Sequence, residues 1–225
     1  MREFLKKYPN FYYMIVRFFG PALIYFYDPK WFIKKYNDNG FCINLGSGPK
    51  VINNNFKNVD LFKYEKVDYV CDISKTPFEN NTVDRIILDN VLEHIGEPEK
   101  VVGEMFRIMK NNSLAYISVP FIYPFHSSPY DFNRWTHLGL KKIFERRGFE
   151  VVEIGTRSGI FSTLNTILVY IFATIFSFGN EKLYDLLSNL FIFVFFPIKF
   201  LDLLVLWIPQ NINSACVFYM VVKKN

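Results

Sequence analysis

The sequence predicts an α/β protein built on a largely parallel sheet. Three observations carry the prediction. Short apolar runs rich in Val, Ile and Tyr recur along the first two thirds of the chain, segments of helical periodicity separate the later ones, and the first run ends in a glycine turn, NLGSGP (44–49). The expected strands are FCINL (41–45), KNVDL (57–61), DYVCDI (68–73), DRIILD (84–89) and LAYISVP (114–120). EPEKVVGEMFRIMK (97–110) sets Val101, Met105, Ile108 and Met109 on one face, the pattern of a surface helix packed on a sheet. A second helix starts near Thr136 and stops at Gly148, a strand follows over 149–154, and SACVFYMVVKK (214–224) reads as a last strand ending in charge. A ligand is expected beyond the carboxyl ends of these strands, at the switch point beside the first.

At 225 residues the chain suits one domain, or one domain with a sizeable insertion. A hydrophobic fraction of 51%, with 26 Phe and 14 Tyr, has two readings: a compositional bias, or an apolar surface meeting lipid or a lipid-like substrate. The net charge of +5 is dispersed over small clusters such as Lys34-Lys35 and Arg146-Arg147. That excludes a basic groove, so nucleic acid is not an expected partner. Cys42, Cys71 and Cys216 lie in strand-like runs without Cys-x-x-Cys spacing, so neither a zinc site nor a disulfide framework is expected, and no metal is assigned. Free thiols favour a reducing compartment, here the cytoplasm at or near the inner face of a membrane. MREFLKKYPNFYYMIVRFFG (1–20) places basic residues before an apolar stretch interrupted by Arg17, which fits an amphipathic docking helix better than a signal peptide.

Between the last two strands the pattern changes. Residues 160–178 carry no charge over 19 positions, about 28 Å as a helix. Residues 186–208 are apolar again but contain Pro197, Lys199 and Asp202. If the first segment crossed a membrane, the second would have to return with both charges inside it, at a cost. A hairpin in the membrane interface avoids that cost and is the favoured reading, ahead of a buried helical lid and a two-span hairpin. The expected organisation is a docking segment (1–40), a cofactor-binding core (41–155), an apolar helical hairpin (156–212) and the core's final strand (213–225).

The glycine turn narrows the ligand. Gly46 and Gly48 fill two positions of a dinucleotide fingerprint, but Val51 fills the third. Only eight residues separate Pro49 from Asn58, Asn53-Asn54-Asn55 among them, too few for a crossover helix whose N-terminus would hold a phosphate. This argues against NAD and ATP and for a nucleoside without phosphate. Asp60, ending the second strand, can accept from both hydroxyls of a ribose, and Asp72, ending the third, from an exocyclic adenine amine.

In this order NLGSGP, Asp60, CDISKTPFENNTVDRIILDNVLEHI and the later GF resemble the class I S-adenosylmethionine-dependent methyltransferases, in particular the small type 11-like group. The likeness covers roughly residues 41–155 and the final strand. It implies a Rossmann-like sheet with the last strand antiparallel, interrupted here by the apolar insertion, and S-adenosyl-L-methionine as cofactor. It further implies that Gly46, Ser47 and Gly48 admit the cofactor's amino-acid end, that Asp60 takes the ribose, that Asp72 and Ile73 flank the adenine and that Asn90 borders the cofactor opposite the glycine turn. The near-absence of a helix after the turn, with Pro49 and Lys50 there, departs from the commoner pattern.

Methylation of an oxygen also needs a proton removed. The segment PFIYPFHSSPYDFNRWTH (120–137) supplies His126 as the candidate base and Asp131 to orient it or bind the acceptor, with Tyr130 and Arg134 as candidate substrate contacts. Asp131 and Arg134 read equally well as a structural ion pair, His137 as part of a helix's first turn, and His94 as a packing or hydrogen-bonding element. The aromatic loop suits a sugar ring and the apolar hairpin a membrane-proximal substrate, so O-methylation of a glycan or lipid-linked saccharide is expected. A methyltransferase of a quinone-like or other lipid small molecule, and a non-catalytic membrane-docking protein of the same fold, stay open.

Overall fold

The computed structural model describes residues 18–20, 22, 26–37, 39–126 and 130–225. The docking helix expected from residue 1 lies, up to residue 17, outside the described residues. The chain divides into two compact units, one comprising 27–120, 126–155 and 218–225, the other 1–26, 121–125 and 156–217.

The sheet has seven strands: β1 (Cys42–Leu45), β2 (Phe56–Asp60), β3 (Tyr69–Val70), β4 (Val83–Asp89), β5 (Met109–Pro120), β6 (Phe149–Ser158) and β7 (Val217–Lys224). Their order is β3-β2-β1-β4-β5-β7-β6. The pairs β2–β3, β1–β2, β1–β4 and β4–β5 are parallel. The bonds Phe121 N–H to Cys216 O and Ile122 N–H to Ala215 O run in opposite chain directions, as an antiparallel β7 requires. β1 is buried along its whole length because it is a central strand, which is why it reads as an unbroken apolar run. The order reverses between β1 and β4, so the crevice the sequence anticipates opens beside Gly46 and Asn90, which follow these two strands.

Among the described residues, the first unit contains the helices α1 (Pro29–Tyr36), α2 (Pro98–Ile108) and α3 (His137–Glu145). Asp28 caps α1 through the Trp31 N–H, and Thr136 caps α3 through the Gly139 N–H, which leaves His137 in the first turn. α1 drives Phe32 into a cluster with Cys42, Phe56, Ile87, Tyr116, Tyr219 and Val221. Two boundaries differ from expectation. α2 stops at Ile108 rather than 110, because Met109 turns extended and pairs with Val83 at the start of a long β5. β3 holds two residues rather than six. Both are exposed on the sheet edge, and the chain leaves the strand in a turn in which Asp72 Oδ1 accepts from Ser74 N–H.

The second unit contains α4 (Ile160–Ser177) and α5 (Glu181–Phe195), followed by 3-10 turns over Phe196–Leu204. Pro197, with no N–H to donate, stands at the point where α-helix gives way to 3-10 geometry. The two charges that made this segment costly are both fully buried and both partnered. Asp202 caps α4 from across the hairpin, accepting from the N–H groups of Gly159, Phe161 and Ser162 and from the Ser162 hydroxyl. Lys199 Nζ donates to Gly20 O at 2.6 Å. α4 is arranged inside out. Its buried positions are mostly small or polar, including Ser162, Thr163, Asn165, Thr166, Ala173 and Ser177. Ile160, Leu164, Ile167, Ile171, Ile175 and Phe176 face outward.

Candidate functional site

The glycine turn is assembled by backbone and carboxylate together. The N–H groups of Gly46 and Ser47 both donate to Val59 O, which ties the end of β1 to β2. Gly48 N–H then donates to Asp60 Oδ2 at 2.7 Å, and Phe62 N–H to Asp60 Oδ1 at 2.9 Å. Each Asp60 oxygen therefore holds one backbone donor and keeps acceptor capacity for another. Gly46 (φ +67°) and Gly48 (φ +55°) both occupy the left-handed region, for different reasons. A Cβ on Gly46 would lie 2.6 Å from Val91 Cγ1, whereas one on Gly48 would meet nothing within 4 Å. The open side of the turn is thus at Gly48, beside Asp60. No helix follows, and residues 49–55 form turns, as the short spacing required.

Across the switch point, Asn90 has φ +54°, and its N–H bonds Ser118 O. Its neighbour Asp89 gathers the floor of the crevice. It accepts from the Ser118 hydroxyl at 2.6 Å and the Asn90 amide at 3.2 Å, and meets Lys50 Nζ at 3.3 Å. Lys50 thereby links the glycine turn to the end of β4. Asp72 is exposed beyond β3, and Ile73 beside it is buried.

The loop after β5 docks on the 3-10 turn Leu92–His94 that follows β4. Phe132 and Asn133 N–H both bond Glu93 O, and the Asn133 amide bonds Ile95 O. This brings His126, Asp131 and Arg134 together. Asp131 Oδ2 accepts from His126 N–H at 2.8 Å and lies 3.3 Å from His126 Nδ1, while Arg134 grips both carboxylate oxygens at 2.5 and 2.7 Å. Burial pushes the Asp131 carboxyl up, but these hydrogen bonds outweigh it and hold it at about 2. The Asp131 side chain is only 2% exposed. Tyr130 contributes its carbonyl to His94 Nδ1 at 2.5 Å, and its ring, against Phe132, is 61% exposed. Glu93 is fully buried, neither of its oxygens accepts a hydrogen bond, and burial pushes it up to about 8.

Residues 45–117 match the family model described as a methyltransferase domain. Over that stretch, about a third of its length, the chain is similar to a methyltransferase domain. Solved structures agree at the level of fold. A Thermotoga maritima S-adenosylmethionine-dependent methyltransferase, described as a "possible histamine N-methyltransferase", aligns at TM-score 0.55 and 12% identity over 100% of both chains. MccD aligns at TM-score 0.55 and 15% identity, covering 87% of this chain and 96% of its own. Haemonchus contortus phosphoethanolamine N-methyltransferase 2, bound to phosphomonomethylethanolamine and S-adenosylhomocysteine, aligns at TM-score 0.53 and 16% identity over 99% of this chain, which spans 60% of that enzyme. A search of curated protein sequences found no significant match.

The residues present fit the cofactor of such a methyltransferase. The turn is open at Gly48 and a carboxylate with spare acceptor capacity lies beside it, while no helix N-terminus is available for a phosphate. Two residues of this candidate site escaped sequence reasoning. Asp89 ends an apolar strand in a charge, the same signal that singled out Asp60. Glu93 gave no signal, because a lone acid in VLEHI reads as a surface position until the fold buries it.

Proposed function

We propose that the protein transfers the methyl group of S-adenosylmethionine to a hydroxyl of a glycan or lipid-linked saccharide at a membrane. The observation that carries the membrane part is the inside-out pattern of α4. A helix facing water buries its large apolar residues. α4 instead buries serine, threonine and asparagine and exposes isoleucine and leucine, the arrangement favoured where lipid is the solvent. α4 and the segment Glu181–Leu204 also have the length and composition of membrane-crossing helices, and most of each is left unburied. We read them as a hairpin seated in the lipid interface on the cytoplasmic side. Exposed Tyr130 and Phe132 offer flat faces of the kind that stack on sugar rings.

When bound, S-adenosylmethionine supplies an electrophilic methyl on a sulfonium, for which in-line positioning is the main catalytic need. The turn Gly46–Ser47–Gly48, open at Gly48 while Gly46 packs on Val91, would admit its amino-acid end, Asp60 would accept from the ribose hydroxyls, Asp72 and Ile73 would flank the base, and Asn90 would close the opposite wall. His126 takes the acceptor's proton and Asp131 holds the ring in place. Arg134 locks Asp131.

Two experiments test this reading. In flotation assays with anionic liposomes the protein should rise with the vesicles, and replacing Ile167, Ile171 and Ile175 by Ser should leave it at the bottom. Flotation unaffected by those changes would remove the membrane assignment. In a transfer assay with radiolabelled cofactor, lipid-linked saccharides should accept methyl and quinone-like phenols should not. His126→Ala should bind cofactor normally and lose at least about a hundredfold in turnover.

A further inference from the structure

We propose that Glu93, His94 and His126 form a binding site for a divalent transition cation, with Zn²⁺ the best match to its donors. Glu93 Oε1 lies 3.7 Å from His94 Nε2 and 3.8 Å from His126 Nε2. One ligand atom from each of the three residues falls within 4.8 Å of the others. Zinc bound at about 2.0–2.2 Å to nitrogen and oxygen sets tetrahedral ligand edges near 3.4 Å, so a contraction of a few tenths of an ångström closes both Glu–His edges.

The groups behind the ligands point the same way. His94 Nδ1 sits against the Tyr130 carbonyl, which only accepts, so this nitrogen carries the hydrogen and Nε2 keeps its lone pair for a metal. His126 Nδ1 faces Asp131 Oδ2 at 3.3 Å, the histidine–carboxylate pairing typical of metal ligands. Arg134 Nη2 lies equally far from that nitrogen but is a donor only, so it bonds Nδ1 only in the other tautomer. Coordination through Nε2 selects the tautomer that Asp131 accepts. Glu93 supplies the independent sign of a ligand: a fully buried carboxyl, with no hydrogen-bond donor on either oxygen, beside two imidazole nitrogens. Such a group is costly to bury without a partner, and a cation supplies one. Two imidazoles and one carboxylate make a three-ligand site with coordination left open, a donor set that catalytic zinc shares.

The site stands whatever acceptor is methylated, and it changes the part His126 plays. With a cation bound, His126 Nε2 would be a ligand and not a base; the cation would lower the pKa of a bound acceptor hydroxyl, whose proton would pass to water.

The test uses the full chain, purified in detergent and stripped with EDTA. Zn²⁺ should bind one per chain in competition with a chromophoric chelator, with micromolar or tighter affinity. Co²⁺ should give the visible absorption of a four- or five-coordinate nitrogen–oxygen site. Glu93→Gln keeps the volume and should weaken Zn²⁺ binding by at least tenfold, with its circular dichroism and thermal transition retained. His94→Ala provides the same test if the glutamine variant does not fold. Absence of cobalt absorption, or zinc affinity unchanged in the folded variant, would overturn the proposal and leave Glu93 as a protonated partner of the imidazoles.

Discussion

Gly46 and Gly48 share a conformation and serve different ends, and substitution should separate them. Alanine at Gly46 would drive its Cβ to 2.6 Å from Val91 Cγ1 in a backbone region that already disfavours side chains. A loss of about 1–3 kcal/mol in stability is expected from such overpacking, read as a lowered denaturation midpoint. Alanine at Gly48 meets nothing, so its stability cost is only the left-handed strain of about 1–2 kcal/mol, while its methyl group occupies the space assigned to the cofactor. Gly48→Ala should therefore lose cofactor affinity out of proportion to its stability, and equal cofactor affinity in the two variants would contradict the assignment. The glycines and Asp60 were legible because a strand end punctuated by glycine, followed by a lone carboxylate ending the next strand, is a local pattern. The pairing of His126 with Glu93, 33 positions apart, was not, since it depends on Phe132 and Asn133 of the loop after β5 hanging from the Glu93 carbonyl.

Among the elements, α4 depends on a residue far from it in sequence. Asp202 takes three backbone donors and one hydroxyl at the α4 N-terminus, all in a buried setting. Asp202→Ala strands those donors and should cost about 2–4 kcal/mol, more than an exposed N-cap. A melting temperature equal to that of the parent would show the cap to be dispensable. Sequence reading recognised α4 by length and composition and marked Asp202 as a cost. That it is the cap could not be read, because the capping residue follows the helix by 25 positions rather than preceding it. The strands were legible where the sheet is central and buried. β3, an exposed edge, left only a weak pattern and was overextended.

For the whole molecule, acid stability offers a test of how the core is locked. Burial pushes the Glu104 carboxyl up, but the Arg107 side chain and the Thr76 hydroxyl and N–H outweigh it and hold it below 4.5. A folded value below the unfolded one means a contribution fully present above the unfolded value and lost as pH falls through the folded one. Thermal stability should thus decline below about pH 4.5, and Glu104→Gln should flatten that decline while lowering the plateau at neutral pH. An unchanged slope would place the acid-sensitive group elsewhere, with Asp84, held low by Lys110 and the Phe41 N–H despite burial, as the next candidate. The α/β class followed from the alternation of elements. The acceptor did not, because specificity resides in exposed aromatic residues that many ligands would satisfy.

The measurement that bears most directly on the account is calorimetric titration of S-adenosylmethionine and of NAD into the detergent-purified protein, with Asp60→Ala alongside. The account predicts saturable one-site binding of S-adenosylmethionine, none of NAD, and loss of the sulfonium's binding in a variant that remains folded. Binding of NAD, or full affinity for S-adenosylmethionine without the Asp60 carboxylate, would contradict it.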